Sequence, residues 1–204
     1  MGSRIAPKHA FCNWRAAPMK VEDVDRLLSA IRDVSELHEF IVVGSLSALG
    51  LAAEQLPARM TWSIKVDAYP ERAPGRAPEF SAAFGENSLF HETYGYYFDA
   101  ISPDLPTLPT GWAQRMLKQV LPSGVQVKYL EPNDCAISKY ARSEPKDREW
   151  IRAGIEAGIL SLPTIEYRMR DTLFMDTQEH HQAKTAVAQD KAWFRALRGF
   201  TDEN

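Results

Sequence analysis

The chain has 204 residues, 45% hydrophobic and 25% charged, the size and composition of one globular domain with room for a sizeable core. Lys+Arg total 24 against Asp+Glu 27, a formal net charge of −3; this excludes a whole-surface nucleic-acid binder and leaves only a local basic patch for such a partner. No apolar run reaches the about 20 residues that a bilayer span needs, and Cys12 and Cys135 fit neither a zinc spacing nor a CxxC motif, so free thiols in a cytoplasmic protein are expected.

Residues 1–18 are basic but lack a continuous apolar stretch, and read as a flexible leader rather than a secretory signal. Over 21–34, apolar residues at 21, 24, 27, 28 and 31 predict a helix. Acidic residues in its first turn suit the helix dipole. The β-branched run 39–43 predicts a buried strand ending at Gly44-Ser45, with a helix over 46–54. Alternation over 61–69 predicts a second strand, stopped by Pro70. The prolines and glycine of 70–80 predict a loop. An aromatic strand is expected over 94–101. Pro103, Pro106 and Pro109 then break the chain before Trp112. Another alternating strand follows at 125–130. Beyond it the pattern is helical over 132–142, 145–157, 163–172 and 177–197. The fold class is therefore α+β: a small mixed β-sheet core over 19–131 and a helical C-terminal region over 132–204, packed on that core.

Three segments hold residues able to carry chemistry. Gly44-Ser45 sits between a strand and a helix. Glycine lets a phosphate approach the backbone, and the next N–H groups and hydroxyl are donors; equally, the pair can be a plain turn. On the following strand Ser63, Lys65 and Asp67 share a face, because strand side chains alternate. A metal-dependent phosphoryl-transfer site would carry two carboxylates at i and i+2 here. This chain has one, with a lysine in the other place; the plain alternative is a solvated Lys/Asp face on an edge strand. In the segment 130–147, Asn133 or Asp134 can cap a helix, and Lys139, Arg142, Lys146 and Asp147 gather at a helix–helix corner. The plain alternative is a surface-charged hairpin. His91 and Tyr96 or Tyr97 form either a pocket wall or a packed aromatic core, with the core favoured. His180 and His181 are adjacent on a helix, about 100° apart, and serve one ion poorly.

Taken in order, IVVGSLSALG, SIKVDAYP, FGENSLFHETYGYYFDAISPDLPTLPTGW and LEPNDCAISKYARSEPKDREWI cover about two-thirds of the chain. They resemble the nucleotidyltransferase superfamily with its DNA polymerase β-like minimal core, and within it the AbiE-type toxins. The resemblance implies a Mg²⁺-dependent enzyme of the two-ion type. It would transfer a nucleoside monophosphate from an NTP to an RNA end, such as a tRNA, or to a protein, as the toxin of a bacterial toxin–antitoxin pair with a cognate antitoxin protein as partner. It also implies roles. Gly44 and Ser45 match the phosphate-binding turn. Asp67 matches the second acid of the strand pair, and Asp134 an acid of the EP-x-D segment, both as metal ligands. Lys139 matches the lysine set on the nucleotide phosphates, with Arg142 and Lys146 as helpers. Lys146 and Asp147 match the later Lys-Asp motif, Asp147 being placed to orient Lys139 or assist the acceptor hydroxyl.

Lys65 departs from the pattern, which calls for Glu or Asp. An ammonium there reverses the local charge, removes a metal ligand and pairs with Asp67 in the cation's place. Such a chain is either a degenerate member or one carrying an altered residue; the intact remainder of the motif favours the latter. The expectation is an inactive or impaired enzyme. The alternative is a catalytically dead nucleotide-binding or protein-interaction module, and a third reading is nucleotidylation of a small molecule. The segment 139–152 is net +2, a candidate basic rim for an RNA end.

Overall fold

In a computed structural model, which describes residues 17–51 and 56–199, one hydrophobic core runs from Met19 to Val187. The element order is β1 (Ala17–Pro18), α1 (Val21–Ser35), β2 (Glu39–Val42), α2 (Ala58–Thr61), β3 (Trp62–Ser63) and β4 (Lys65–Pro70). Then come α3 (Ser81–Phe84), α4 (Leu89–Tyr94), β5 (Tyr97–Ala100), α5 (Trp112–Arg115), β6 (Leu117–Val120) and β7 (Gln126–Tyr129). The chain closes with α6 (Pro132–Arg142), α7 (Pro145–Glu156), α8 (Leu162–Met169) and α9 (Thr177–Leu197). Five strands form a mixed sheet in the order β5-β4-β2-β7-β6, and the α+β class holds. Among the described residues no helix is long and apolar enough to cross a membrane.

The helices with strong apolar periodicity lie close to their expected places. On α1, Val24, Leu27, Leu28 and Ile31 are buried, the stripe that the spacing predicts. The four C-terminal helices match the helical pattern, with α8 ending at Met169 rather than at 172. Residues 1–16 of the expected leader, with Cys12, lie outside the described residues. Its last two residues, Ala17–Pro18, pair antiparallel with β3.

Five expectations need correction. The helix expected over 46–54 is a 3₁₀ turn over Gly44–Gly50, and 52–54 lie outside the described residues. Its small residues let the backbone pack hard on β7: a Cβ at Gly50 would stand 2.5 Å from that of Tyr129. The single strand over 61–69 is two, because Ser63 turns the chain. Its hydroxyl accepts from Lys65 N at 3.1 Å and donates to Lys65 O at 2.8 Å, a local bond that competes with the ladder. Nor is β4 an edge strand, since it lies between β5 and β2. The expected loop over 70–80 contains a 3₁₀ turn, Pro74–Phe80. Finally, the aromatic strand expected over 94–101 begins only at Tyr97. The residues before it form α4, started by Ser88, whose side chain accepts from His91 N, and stopped by left-handed Gly95. Strand β6 was not anticipated; LKQV lies at the sheet edge with its sides half exposed and shows little pattern.

The helix α6 is the pivot. It packs against α7, α8 and α9, and nine of its eleven residues are buried, including Asp134 and Lys139. The surface-charged hairpin holds only in part: Lys139 and Asp147 are buried where the helices close around α6, whereas Arg142, Lys146 and Glu149 are exposed.

Candidate functional site

The carboxyl end of β2 leads straight into Gly44, which has φ +67°, a left-handed conformation that glycine adopts without strain. The position is also crowded. A Cβ there would stand 2.3 Å from Asp67 Oδ2, so the backbone of the turn rests on the strand carboxylate. The Gly44 carbonyl accepts from the Cys135 thiol at 3.1 Å. The Ser45 carbonyl accepts from Trp150 Nε1 at 3.0 Å. The turn is thus tied to both α6 and α7. Gly44→Ala is expected to cost about 1–3 kcal/mol through strain and contact together. Gly75→Ala, with nothing within 4 Å of the added Cβ, is expected to be neutral; urea unfolding of both variants checks the contrast.

Asp67 faces Asp99 in register across the parallel β4 and β5. Between them lies the Lys65 ammonium, 3.0 Å from Asp67 Oδ1 and hydrogen-bonded to Asp99 Oδ2. Burial would lower the Lys65 pKa, but the charge of Asp67 and the bonds to Asp99 and Asp67 outweigh it and raise it above the ordinary value. Burial pushes the Asp67 carboxyl up, against the pull of Lys65.

Lys139 comes from the middle of α6 and is 4% exposed. Its ammonium donates to Asp147 Oδ1 at 2.9 Å and to Ser45 Oγ at 3.2 Å, and lies 4.9 Å from the Trp150 ring centre. Asp147, at the start of α7, is 1% exposed. It also accepts from Arg142 Nε at 2.8 Å and NH2 at 2.6 Å. Burial pushes its pKa up, but the bonds from Arg142 and Lys139 prevail and hold it below the ordinary carboxylate value.

A cavity of about 410 Å³ joins these parts, lined by Gly44, Lys65, Asp67, Asp99, Lys139 and Arg142. Its far wall carries Leu105, Thr107, Met175 and Glu179, with the Thr107 hydroxyl donating to Glu179 Oε1 at 3.2 Å. Gly44, Ser45, Lys65, Asp67, Lys139, Arg142 and Asp147 are thus brought together. Lys146 is exposed on α7 and does not line the cavity.

Asp134 also stands apart. It is 0% exposed, with Oδ2 accepting from Arg115 Nε and Oδ1 from Arg168 NH1, both at 2.8 Å. Both oxygens are engaged in clamping α5 and α8 to α6, and Asp134 does not line the cavity. The cap of α6 is Glu131, not Asn133 or Asp134; Asn133 Oδ1 instead accepts from Ser161 N at 2.8 Å. His91 and Tyr96 do not line the cavity. Tyr96 is buried, its hydroxyl bonded by Arg26 at 3.0 Å, and the His91 ring packs on Tyr97 at 4.8 Å. His180 stacks on Phe174.

The residue missed in the sequence is Asp99. Its signal was present: Phe98-Asp99-Ala100 repeats the apolar–Asp–apolar triplet of Val66-Asp67-Ala68. With it two carboxylates face each other across β4 and β5, apart from Glu179 on the far wall, and among the described residues no group of three His, Cys, Asp or Glu could hold a metal ion. Magnesium demands near-octahedral oxygen coordination. Here the facing oxygens of both carboxylates are bonded to an ammonium. The residues present do not fit a divalent cation.

A family profile described as "Nucleotidyltransferase of unknown function (DUF6036)" matches residues 19–199. A search of curated proteins and one of solved structures returned no match. The profile agrees with the superfamily that the motifs resemble, and its description says nothing of AbiE-type toxins.

Proposed function

The chain belongs to this family of nucleotidyltransferases, and on that premise we propose that its cleft holds a nucleoside triphosphate for transfer of the nucleoside monophosphate to a hydroxyl of an RNA end, such as a tRNA, or of a protein. The observation that carries the reading is the meeting of Gly44, the Asp67/Asp99 pair and Lys139 around one cavity, from four separate parts of the chain. The triphosphate lies against the Gly44-Ser45 turn, with Lys139 and Arg142 meeting its charge. The acceptor oxygen attacks the α-phosphorus and pyrophosphate leaves. The protein contributes position and charge rather than covalent steps. Exposed Arg142 and Lys146 favour an anionic RNA acceptor over a cationic small molecule. The role of toxin, with a cognate antitoxin, is supported by the motif resemblance.

In this chain transfer is suppressed, because Lys65 lies on the two carboxylates. That same observation favours a second reading, a nucleotide-binding module that no longer transfers. The Lys65→Glu variant, incubated with Mg²⁺, each α-labelled NTP and either tRNA or cell lysate, is expected to label a macromolecule; the chain as it stands is expected to label little or none. A folded Lys65→Glu protein that labels nothing and leaves growth unaffected would refute the transferase reading.

A further inference from the structure

We propose that Lys65 is a resident, tethered cation in the place of a divalent metal, so that the cleft takes up a nucleoside polyphosphate free of divalent cation. The identity of the ligand rests on the nucleotide reading above; the absence of a metal requirement rests on Lys65 itself.

Three observations converge on it. First, the ammonium bridges Asp67 and Asp99, which face each other in register across parallel strands. An ion entering between those oxygens has to displace the ammonium and then sit beside its charge. Second, the Lys65 side chain is only partly exposed, and it lines the same cavity as both of its carboxylate partners. Third, the charged residues lining the cavity balance: Lys65, Lys139 and Arg142 face Asp67, Asp99 and Glu179. A carboxylate at 65 would leave two cations against four anions, a wall that repels a polyphosphate until a metal offsets it. Asp147, buried behind Lys139, adds one negative charge in either case. With Lys65 in place, the chain itself supplies the cation that its carboxylates need.

The test uses the full chain, Lys65→Glu and Lys65→Gln. Manganese binding is read by electron paramagnetic resonance, and binding of each common ribonucleoside triphosphate by calorimetry in EDTA and in Mg²⁺. The chain as it stands is expected to bind no manganese at the cleft and to hold nucleotide with an affinity that Mg²⁺ changes by less than about threefold. Lys65→Glu is expected to gain a manganese site and to lose about tenfold or more in EDTA, recovered with Mg²⁺. Lys65→Gln, the milder change should the glutamate variant not fold, is expected to lose metal-free affinity. A manganese site in the unaltered chain, or nucleotide binding there that requires Mg²⁺, overturns the proposal. If no nucleotide binds any variant while manganese still separates them, the nucleotide reading fails and Lys65 stands as the resident cation.

Discussion

Asp147→Ala is expected to lose about 3–5 kcal/mol of folding stability, the cost of leaving a buried charge without its partner. The carboxylate is 1% exposed and Lys139 is 4% exposed. Removing Asp147 leaves the Lys139 ammonium with only the Ser45 hydroxyl and the face of Trp150. Arg142, more than half exposed, turns to water and contributes little to the loss. Asp147→Asn keeps one acceptor and is expected to lose less. The pH dependence carries the same signature. The folded-state pKa of Asp147 is held below its ordinary value, so its stabilisation is present above the unfolded carboxylate value, about 3.9. It is lost as pH falls through the folded value. Below about pH 4 the gap in stability between the unaltered chain and Asp147→Ala is expected to close. Urea unfolding across that range measures it. A gap that stays constant with pH, or a loss under about 1 kcal/mol, would show that Asp147 is not the anchor of the corner.

Lys139→Met is expected to behave in the opposite sense, losing ligand more than fold. Methionine keeps an unbranched apolar stem of similar length. Asp147 remains paired through both bonds from Arg142, so no buried carboxylate is abandoned. What disappears is the buried cation beside the Gly44-Ser45 turn. A hydrogen bond to a charged group is worth about 1.5–3 kcal/mol, so nucleotide affinity is expected to fall about 10- to 100-fold. Calorimetry on a variant with an unchanged circular dichroism spectrum measures it. Unaltered affinity would make Lys139 a strut that holds Ser45 and nothing more.

Much of the architecture is legible in the residues alone. Periodicity places α1 and the four C-terminal helices, because each has one side that must meet the core. The β-branched run before Gly44 marks β2 and the turn after it. Asp67 and Lys139 follow from their places in the motifs, and the anomaly of Lys65 is visible without any coordinates. Other elements give weak or conflicting signals. Tyr94 reads as the start of a strand because bulk favours sheets, but the cap by Ser88 and the stop at Gly95 make it the last residue of a helix. The half-exposed sides of β6 leave almost no pattern.

What the chain by itself determines is a set of local commitments: the strongly periodic helices, the strand and glycine turn at 39–45, and a lysine two residues before Asp67 on one strand. What only the tertiary structure decides is who meets whom. Asp99 joins Asp67 because the sheet places β5 beside β4 in parallel register, a neighbour relation that no periodicity encodes. Asp134 leaves the site because α5 and α8 bring Arg115 and Arg168 to it. Lys139 and Asp147 become a buried pair because three helices close around α6. A side chain's spacing along the chain reports the face it shares, whereas its charge partner is set by packing between distant segments. For Lys65 the difference is decisive: one unexpected charge in the sequence becomes, in the fold, an ammonium bonded to the facing carboxylates of Asp67 and Asp99.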